Sequence, residues 1–503
     1  MNKILNGLKT ATNYTYTQNG ALTHKSTLNS CLDFFAMGGA MRERSEADIV
    51  VMFGNAYSED PLTAMKLLFY FRDIRGGQGE RRLFKVIMRS LASKNPNQVR
   101  KNLSLIPEFG RWDDLYIFVG TPLQTDALDL MRKQFVLDLK CKTPSLLAKW
   151  LKSENASSQE TKILGAITRK HFGLSPKQYR RALSELRARI NVLERLMSAN
   201  EWDEIEFDKI PSKAGLIYRN AFARRDLISS KYAEFATSSE TKVNAETLYP
   251  YEVVEKTLDE FDYRLGFLGS HVERVVLNKY WDNLKDYLAD NPMNGIAVVD
   301  TSGSMNGNPI NVAISLGLYM AERSSGPFAN HYISFASRPQ LIETSGVDFV
   351  DKVERIYKTN LIDNTNIEAV FDLILDTAIK SGASQEELPQ NIFIISDMEF
   401  DSATTSRPGR AGEKSVRFFK ENAETLLENI AIRFAANGYK LPHLIFWNVN
   451  AKQDNIPMIN ANSPISYVSG FSPSIFECVV SGKTGVDLMM EVVNKERYSK
   501  ITV

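Results

Sequence analysis

The sequence predicts a two-part protein in which an α-helical array is followed by an α/β domain with a doubly wound parallel sheet. Residues 1–290 show helical apolar spacing and few strand patterns. From residue 291 to residue 503, short apolar runs alternate with helical segments, which is typical of a parallel sheet covered by helices. A chain of 503 residues also exceeds one ordinary core, so we predict two domains, 1–290 and 291–503.

The composition is that of an ordinary globular protein, with 43% hydrophobic and 24% charged residues and a net charge of +1. No apolar run approaches the roughly 18 residues that a membrane-spanning helix needs, and the first residues show no secretory signal core. The three cysteines, Cys31, Cys141 and Cys478, are odd in number and widely spaced, which argues against a disulfide framework or a cysteine zinc site. We therefore expect a cytoplasmic protein, in the host cytoplasm if its source is viral.

The N-terminal half is predicted to be a HEAT-like helical array, because helices of ordinary length follow one another with short joints. Residues 61–71 and 80–93 have helical apolar spacing, and Ser175-Pro176 opens a longer predicted helix that reaches residue 196. The polar segment 12–28, with a turn at Asn19-Gly20, is predicted to be an extended arm. No clear internal repeat supports the array.

In the C-terminal half, the alternation of apolar runs and helical patterns sets the predicted order of strands and helices. The predicted strands are 295–300, 331–335, 391–396, 444–449 and 465–468. The predicted helices between and beside them are 308–323, 347–356, 367–381 and 414–437.

Oxygen-bearing side chains follow the predicted strands at the sheet edge where open α/β folds bind ligands. Asp300, Ser302 and Ser304 form a D-x-S-x-S turn after the first strand, Thr365 precedes a helix, and Asp397 ends a later strand. Carboxylate and hydroxyl oxygens suit a hard cation, so we predict a site for Mg²⁺ (or Mn²⁺). With so few carboxylates, the bound cation would attract a carboxylate, or alternatively a phosphate, from a partner.

The run V-V-D-T-S-G-S-M at 298–305, with Thr365 and Asp397, resembles a von Willebrand factor A domain, a Rossmann-like fold, with a metal-ion-dependent adhesion site. The resemblance covers residues 295–500 and implies that Asp300, Ser302, Ser304, Thr365 and Asp397 surround the cation. Asn366 departs from the pattern, because many members of that family carry aspartate after the threonine.

Two further runs, R-D-I-R-G-G-Q-G-E-R at 72–81 and G-R-W-D-D-L at 110–115, resemble those of helical ring modules. Such a module precedes an A domain in the Ro ribonucleoprotein family, whose architecture implies binding of small structured RNA. The chain is still more similar to a family of uncharacterised proteins with a domain of unknown function, which shares the first run, D-T-S-G-S-M and S-D-M-E-F-D. By itself, Gly76-Gly77-Gln78-Gly79 favours a turn between helices over a phosphate cradle, although arginines flank it.

A basic segment at 161–200 carries nine lysines and arginines against two glutamates. Such a local excess can bind phosphates even in a neutral protein, but a solvated helix surface explains it equally well. The candidate RNA-binding residues are Arg169, Lys170, His171, Lys177, Arg180, Arg181 and Arg187.

The sequence therefore favours a non-catalytic binding protein rather than an enzyme. Its basic helical module would bind a structured small RNA, and its α/β domain would hold a partner's acidic residue through the cation. One alternative is a metal-dependent protein–protein scaffold without RNA. A Mg²⁺-dependent hydrolase is disfavoured, because no base or nucleophile pairs convincingly with the site.

Overall fold

The structure, a computed structural model, describes residues 4, 8–9, 11–289, 293–335, 338–359, 366–400, 426–457, 465–477 and 483–503. The chain forms two compact units. The first, the sheet unit, contains Met1–Leu67, Leu248–Ser270 and Leu284–Glu496. The second, the helical unit, contains Leu68–Thr247, His271–Asn283 and Arg497–Val503. The domain boundary that we predict between residues 290 and 291 remains a prediction.

Helices dominate the described residues before the sheet, which confirms the predicted helical N-terminal region. The first helices in chain order are α1 (Ser30–Met37), α2 (Glu46–Glu59), α3 (Pro61–Arg72), α4 (Arg82–Lys94), α5 (Pro96–Asn102), α6 (Ile106–Phe109), α7 (Gln124–Lys140), α8 (Leu147–Trp150), α9 (Gln159–Phe172) and α10 (Pro176–Arg189). They are followed by α11 (Leu193–Ser198), α12 (Ser212–Arg224), α13 (Asp226–Thr237), α14 (Pro250–Leu258), α15 (His271–Asp282), α16 (Asn308–Arg323), α17 (Phe349–Thr359), α18 (Ile367–Ser381), α19 (Leu426–Ala436) and α20 (Gly485–Val493).

Among the residues that the structure describes, the strands form one larger sheet and two small hairpins. The hairpins are β1 (Tyr14–Tyr16) with β2 (Leu22–His24), and β3 (Phe261–Asp262) with β4 (Gly266–Phe267). The larger sheet contains β5 (Gly295–Asp300), β6 (His331–Phe335), β7 (Leu341–Glu343), β8 (Asn391–Ser396), β9 (His443–Asn448) and β10 (Ile465–Ser469).

The six-stranded sheet has the order β10-β9-β8-β5-β6-β7. The five predicted strands are all present and pair in parallel, which confirms the predicted α/β domain. The expectation of a wholly parallel sheet is wrong, because β7 pairs with β6 in the antiparallel sense. Only residues 336–340 separate these two strands, a link too short for a parallel crossover.

The sheet core lies around β5 and β8, in which every residue is buried. Their continuous apolar runs are typical of central parallel strands with both faces covered. Helix α16 packs on β5, β6 and β8. At Gly317 of α16, a Cβ atom would overlap with the side chain of Val299 in β5, so glycine allows this close approach.

The predicted arm at 12–28 forms the hairpin of β1 and β2, which we call the N-terminal hairpin (residues 14–24). Its turn contains Gly20, whose φ of 87° lies in the left-handed region that glycine tolerates. The turn predicted at Asn19-Gly20 is thus confirmed.

In the helical unit, the prediction of one long helix from 175 to 196 is wrong, because this segment forms two helices, α10 and α11. Ser175 caps α10 and Pro176 occupies its first turn, as predicted. The break is at Asn191, whose φ of 47° lies outside the helical region. Asparagine tolerates this left-handed conformation better than most residues. The helix can therefore end at this position although the apolar spacing of the sequence continues across it.

Helices α12, α13 and α15 of the helical unit pack on one another. Phe207 contacts Phe222 and Tyr232 between these elements, with ring centroids 5.5 and 4.8 Å away, respectively. Among the residues that the structure describes, none of the helices combines the length and the apolarity that crossing a membrane requires.

Candidate functional site

The D-x-S-x-S turn follows the central strand β5. Asp300 is the last residue of that strand and is completely buried. Its Oδ1 accepts a hydrogen bond of 2.9 Å from the backbone N–H of Ser302, so the carboxylate closes the turn. The hydroxyl oxygens of Ser302 and Ser304 are 3.1 Å apart. One carboxylate and two hydroxyls therefore meet at the carboxyl end of β5.

Strand β8 brings a second carboxylate to this edge, because it runs parallel to β5 and pairs Ile395 with Val299. Ser396, its last residue, donates a hydrogen bond of 2.5 Å from its hydroxyl to Oδ2 of Asp300. The next residue, Asp397, is also buried, and its Oδ1 accepts a hydrogen bond of 3.2 Å from the backbone of Glu399. The structure thus places both predicted acids, Asp300 and Asp397, at neighbouring strand ends.

Lys452, which sequence reasoning missed, joins the two loops. Its Nζ donates to the carbonyl oxygen of Ser304 at 2.7 Å and to Oδ2 of Asp397 at 3.0 Å. The residue follows β9, whose carboxyl end lies at the same edge of the sheet. The sequence signal that could have identified Lys452 is a basic residue shortly after a predicted parallel strand. We call Asp300, Ser302, Ser304, Asp397 and Lys452 the edge cluster.

The fifth predicted ligand, Thr365, lies outside the described residues. Its neighbour Asn366 is described and caps α18, since its Oδ1 accepts a hydrogen bond of 3.0 Å from the backbone of Ala369. This capping role gives asparagine a local structural use at that position.

The electrostatics of the edge cluster disfavour the ionised form of Asp300. Burial raises the pKa of Asp300 to about 6, and the negative charge of Asp397 acts in the same direction. Hydrogen bonds from Ser396 and Ser302 oppose this shift only in part. An added positive charge would therefore stabilise the ionised form of Asp300.

The donor set consists of two carboxylates, two hydroxyls and a carbonyl rather than a conventional acidic or histidine cage. Within the described ranges, no group of three or more His, Cys, Asp or Glu residues is arranged to hold a metal ion. All the donors of the edge cluster are nevertheless hard oxygens, which fit Mg²⁺ or Mn²⁺ and leave coordination positions for water or a partner.

Glu399 anchors the N-terminal hairpin to the loop after β8. Its carboxylate accepts hydrogen bonds from the backbone N–H of Gln18 at 2.6 Å and from Nδ2 of Asn455 at 2.7 Å. Asn19 donates to the carbonyl oxygen of Glu399 at 2.6 Å, and Thr17 to that of Phe400 at 2.7 Å. Burial raises the pKa of Glu399. Glu399 therefore links the N-terminal hairpin to the loop that contains Asp397, and we assign it no role as a cation ligand.

The basic segment contains both free and engaged cations on α9 and α10. Four of the predicted RNA-binding side chains are exposed and form no ion pair with any described residue: Lys170, Lys177, Arg180 and Arg181. Lys177, Arg180 and Arg181 lie on one face of α10, because their spacing is close to a helical turn. We call these four residues the basic patch.

The other three predicted RNA-binding residues have internal partners. Arg169 pairs with Glu154 at 2.8 Å, and His171 lies 2.8 Å from a carboxylate oxygen of Asp129. Arg187 donates to the carbonyl oxygens of Ala148 and Leu151, each at 2.9 Å, and to Ser153. Burial lowers the pKa of Arg187. Its guanidinium therefore holds a helix end and has fewer donors left for a phosphate.

The glycine-rich run at 76–79 forms a tight turn between α3 and α4, as its sequence favoured. A Cβ atom at Gly77 would overlap with the carbonyl oxygen of Tyr70. Of the flanking arginines, Arg72 is buried and donates from Nε and Nη2 to Oδ2 of Asp114, at 2.9 and 2.6 Å. The runs at 72–81 and 110–115 are thus joined by the buried ion pair between Arg72 and Asp114.

Comparisons with known proteins place the chain among proteins of unknown function. The family described as Domain of unknown function (DUF2828) matches residues 17–169 and 147–292, and Domain of unknown function (DUF7788) matches residues 294–501. The chain is 29% identical over 515 residues to Uncharacterized protein L728 of Acanthamoeba polyphaga mimivirus, covering 94% of this chain and 85% of that protein.

Among solved structures, a similar one is described as the crystal structure of Deinococcus radiodurans RO (RSR) protein. The sequence identity is 13% and the TM-score is 0.47, with 94% of this chain and all of that chain covered. Neither family description names a von Willebrand factor A domain. The DUF2828 match extends over more than half of the residues, and the chain therefore belongs to this family of proteins with a domain of unknown function.

Proposed function

We propose that this protein is a non-catalytic binding protein whose sheet unit holds a divalent cation, Mg²⁺ or Mn²⁺, in a site of the von Willebrand factor A type. The observation that carries the proposal is the convergence of Asp300, Ser302, Ser304 and Asp397 at the carboxyl edge of the sheet. We include Thr365 as the fifth ligand on the resemblance alone.

The cation would bind a carboxylate of a protein partner. Hydroxyl ligands neutralise little of its charge, so its open position favours an anionic oxygen.

A binding role suits the two acids better than catalysis. Asp300 already accepts hydrogen bonds from Ser302 and Ser396, and Asp397 accepts from Glu399 and Lys452. Carboxylates engaged in this way are poorly placed to act as general bases.

Calorimetric titration with Mn²⁺ tests the cation site. We expect Asp300→Asn to weaken Mn²⁺ binding by at least about tenfold, since a unit charge at ligand distance is worth more than 1.4 kcal/mol in a buried site. Glu343→Gln removes the same charge from the exposed edge strand β7 and should leave the affinity unchanged. Equal affinities of Asp300→Asn and the wild type, with both folded by circular dichroism, would refute the site.

As a second function, we propose that the helical unit, as a HEAT-like array, binds a structured small RNA through the basic patch. The specific observation is that its four cations are exposed and form no ion pair with the described residues. Unpaired surface cations can replace the counterions of a phosphate backbone, which gives binding that weakens steeply with salt.

Charge reversal tests the RNA proposal. The triple variant Lys177→Glu, Arg180→Glu, Arg181→Glu should abolish RNA retention and lower the slope of log affinity against log salt by about two to three. Lys94, Lys142 and Lys242, which are exposed in the same unit, provide a matched control triple. A protein without RNA, and with chelator-sensitive but salt-insensitive association, would instead support a protein–protein scaffold.

A further inference from the structure

The ammonium of Lys452 lies among the oxygens that we assign to the cation. It donates to the carbonyl oxygen of Ser304 at 2.7 Å and to Asp397 Oδ2 at 3.0 Å. Ser304 also presents its hydroxyl 3.1 Å from that of Ser302. One residue of the D-x-S-x-S turn and one strand-end acid thus share a single positive group.

The charges of the edge cluster make this ammonium a counterion. Asp300 and Asp397 contribute two carboxylates that are shielded from solvent, and Lys452 contributes the positive charge that faces Asp397 directly. A divalent ion placed between Asp397 and the serine hydroxyls would meet that ammonium at short range. Like charges at such distances repel strongly in a buried site, so both cannot occupy it.

Lys452 can leave the site without unfolding the sheet. Its side chain is 23% exposed, whereas that of Asp397 is 0% exposed, so the lysine reaches inward from the surface. Lysine has a long flexible stem and a strongly hydrated ammonium, which makes rotation into water inexpensive compared with moving a strand end.

We propose that Lys452 is a tethered cation that fills the edge cluster when no divalent ion is bound and is displaced when one binds. This inference rests on the proposed cation site and adds a determinant of its affinity. The protein would bind its divalent ion more weakly than its oxygen donors alone allow, and the ammonium would offset one of the two carboxylate charges while no metal is bound.

The first measurement compares Mn²⁺ affinity by calorimetric titration in the full chain. Lys452→Met keeps most of the stem and removes the charge, and we expect it to bind Mn²⁺ at least about tenfold more tightly than the wild type. Lys452→Arg keeps the charge and should not gain affinity. Lys440→Met removes the same charge just before β9, at the opposite edge of the sheet, and should match the wild type.

The second measurement reports displacement directly. Acylation of lysine amines, quantified by peptide mass spectrometry, should label Lys452 faster when saturating Mn²⁺ is added, while Lys440 labels at an unchanged rate. This readout uses the wild-type chain and does not depend on whether a variant folds.

The outcomes separate the two proposals. Mn²⁺ binding by the wild type that is lost in Asp300→Asn, with no gain in Lys452→Met and no change in labelling, would overturn the tethered-cation inference and leave the cation site standing. Absence of Mn²⁺ binding in the wild type, Lys452→Met and Lys452→Arg alike would overturn the cation site itself and the inference with it. Tighter binding in Lys452→Met with faster labelling of Lys452 supports both.

Discussion

At the scale of single residues, His443 couples the stability of the sheet unit to pH. It begins β9 and is buried, with Nδ1 3.2 Å from Oδ1 of Asn391 and Nε2 3.0 Å from the hydroxyl of Ser466. Burial lowers the pKa of His443 to about 4, from 6.5 in an unfolded chain. The unfolded state therefore binds more protons between pH 6.5 and pH 4. The stabilisation is complete above pH 6.5 and is lost as the pH falls towards 4.

We expect the sheet unit to lose about 3 kcal/mol over this range through His443. His443→Gln should be less stable than the wild type at pH 7 and should lose less stability as the pH falls to 4. Urea unfolding followed by tryptophan fluorescence measures this difference, and the exposed His271, replaced in His271→Gln, gives the control. Parallel pH profiles for His443→Gln and the wild type would contradict the assignment.

The buried ion pair between Arg72 and Asp114 makes a second prediction at this scale. Asp114→Ala leaves a buried guanidinium without its counterion, which costs about 3–5 kcal/mol. Asp126→Ala removes the partner of Arg100 at the surface, where the cost is about 0–1 kcal/mol. Chemical denaturation of both variants, followed by far-ultraviolet circular dichroism, gives the comparison. Similar losses in the two would show that Asp114 has no special role.

At the scale of elements, the sequence predicts segments whose burial is set by local pattern. The apolar runs of β5 and β8 specify central strands because both faces of these strands are covered. Asp300 at the end of β5 and Asp397 directly after β8 then indicate the edge of the sheet where a site can form. Strand β7 was missed because it has three residues, two of them exposed, and therefore no apolar run. The break between α10 and α11 was missed because apolar spacing continues across Asn191.

Asn191 gives the prediction that belongs to this scale. Its φ of 47° suits glycine and strains a β-branched side chain. Asn191→Val should therefore destabilise the helical unit by about 1–3 kcal/mol, whereas Asn191→Gly should stay close to the wild type. Thermal unfolding of the two variants tests this order. Greater stability of Asn191→Val would mean that α10 and α11 join into one helix.

At the scale of the whole molecule, sequence pattern fails where residues far apart in the chain meet. Lys452 and Ser304 are 148 residues apart, and the N-terminal hairpin meets Glu399 381 residues away. Local periodicity contains no information about such pairs. The sequence could therefore identify Asp300 and Asp397 as candidate ligands. It could not predict the ion pair of Asp397 with Lys452 or the hydrogen bond from Gln18 to Glu399. The runs at 72–81 and 110–115 could be recognised as signatures, but their buried pairing became visible only in the fold.

The C-terminal residues 497–503 also meet residues far away in the chain, because they belong to the helical unit although α20 before them belongs to the sheet unit. Arg497 pairs with Asp73, and the hydroxyl of Tyr498 donates to the same carboxylate at 3.1 Å. Further along, the backbone N–H of Thr502 donates to Oδ1 of Asn102 at 3.1 Å, and Nδ2 of Asn102 donates back to the carbonyl oxygen of Thr502 at 2.7 Å.

Removal of residues 497–503 should therefore leave the buried Asp73 without the ion pair that it forms with Arg497. The turn at 73–80 should become less stable, although it is more than 400 residues away in sequence. Hydrogen exchange should accelerate in peptides covering 70–114, while peptides of β8 and β9 keep their protection, because local stability follows local contacts. Lys500→Ala removes only the exposed pair with Glu108 and should change neither region. Faster exchange in β8 as well would show that the two units unfold together, in which case the last seven residues stabilise the whole chain and not the helical unit alone.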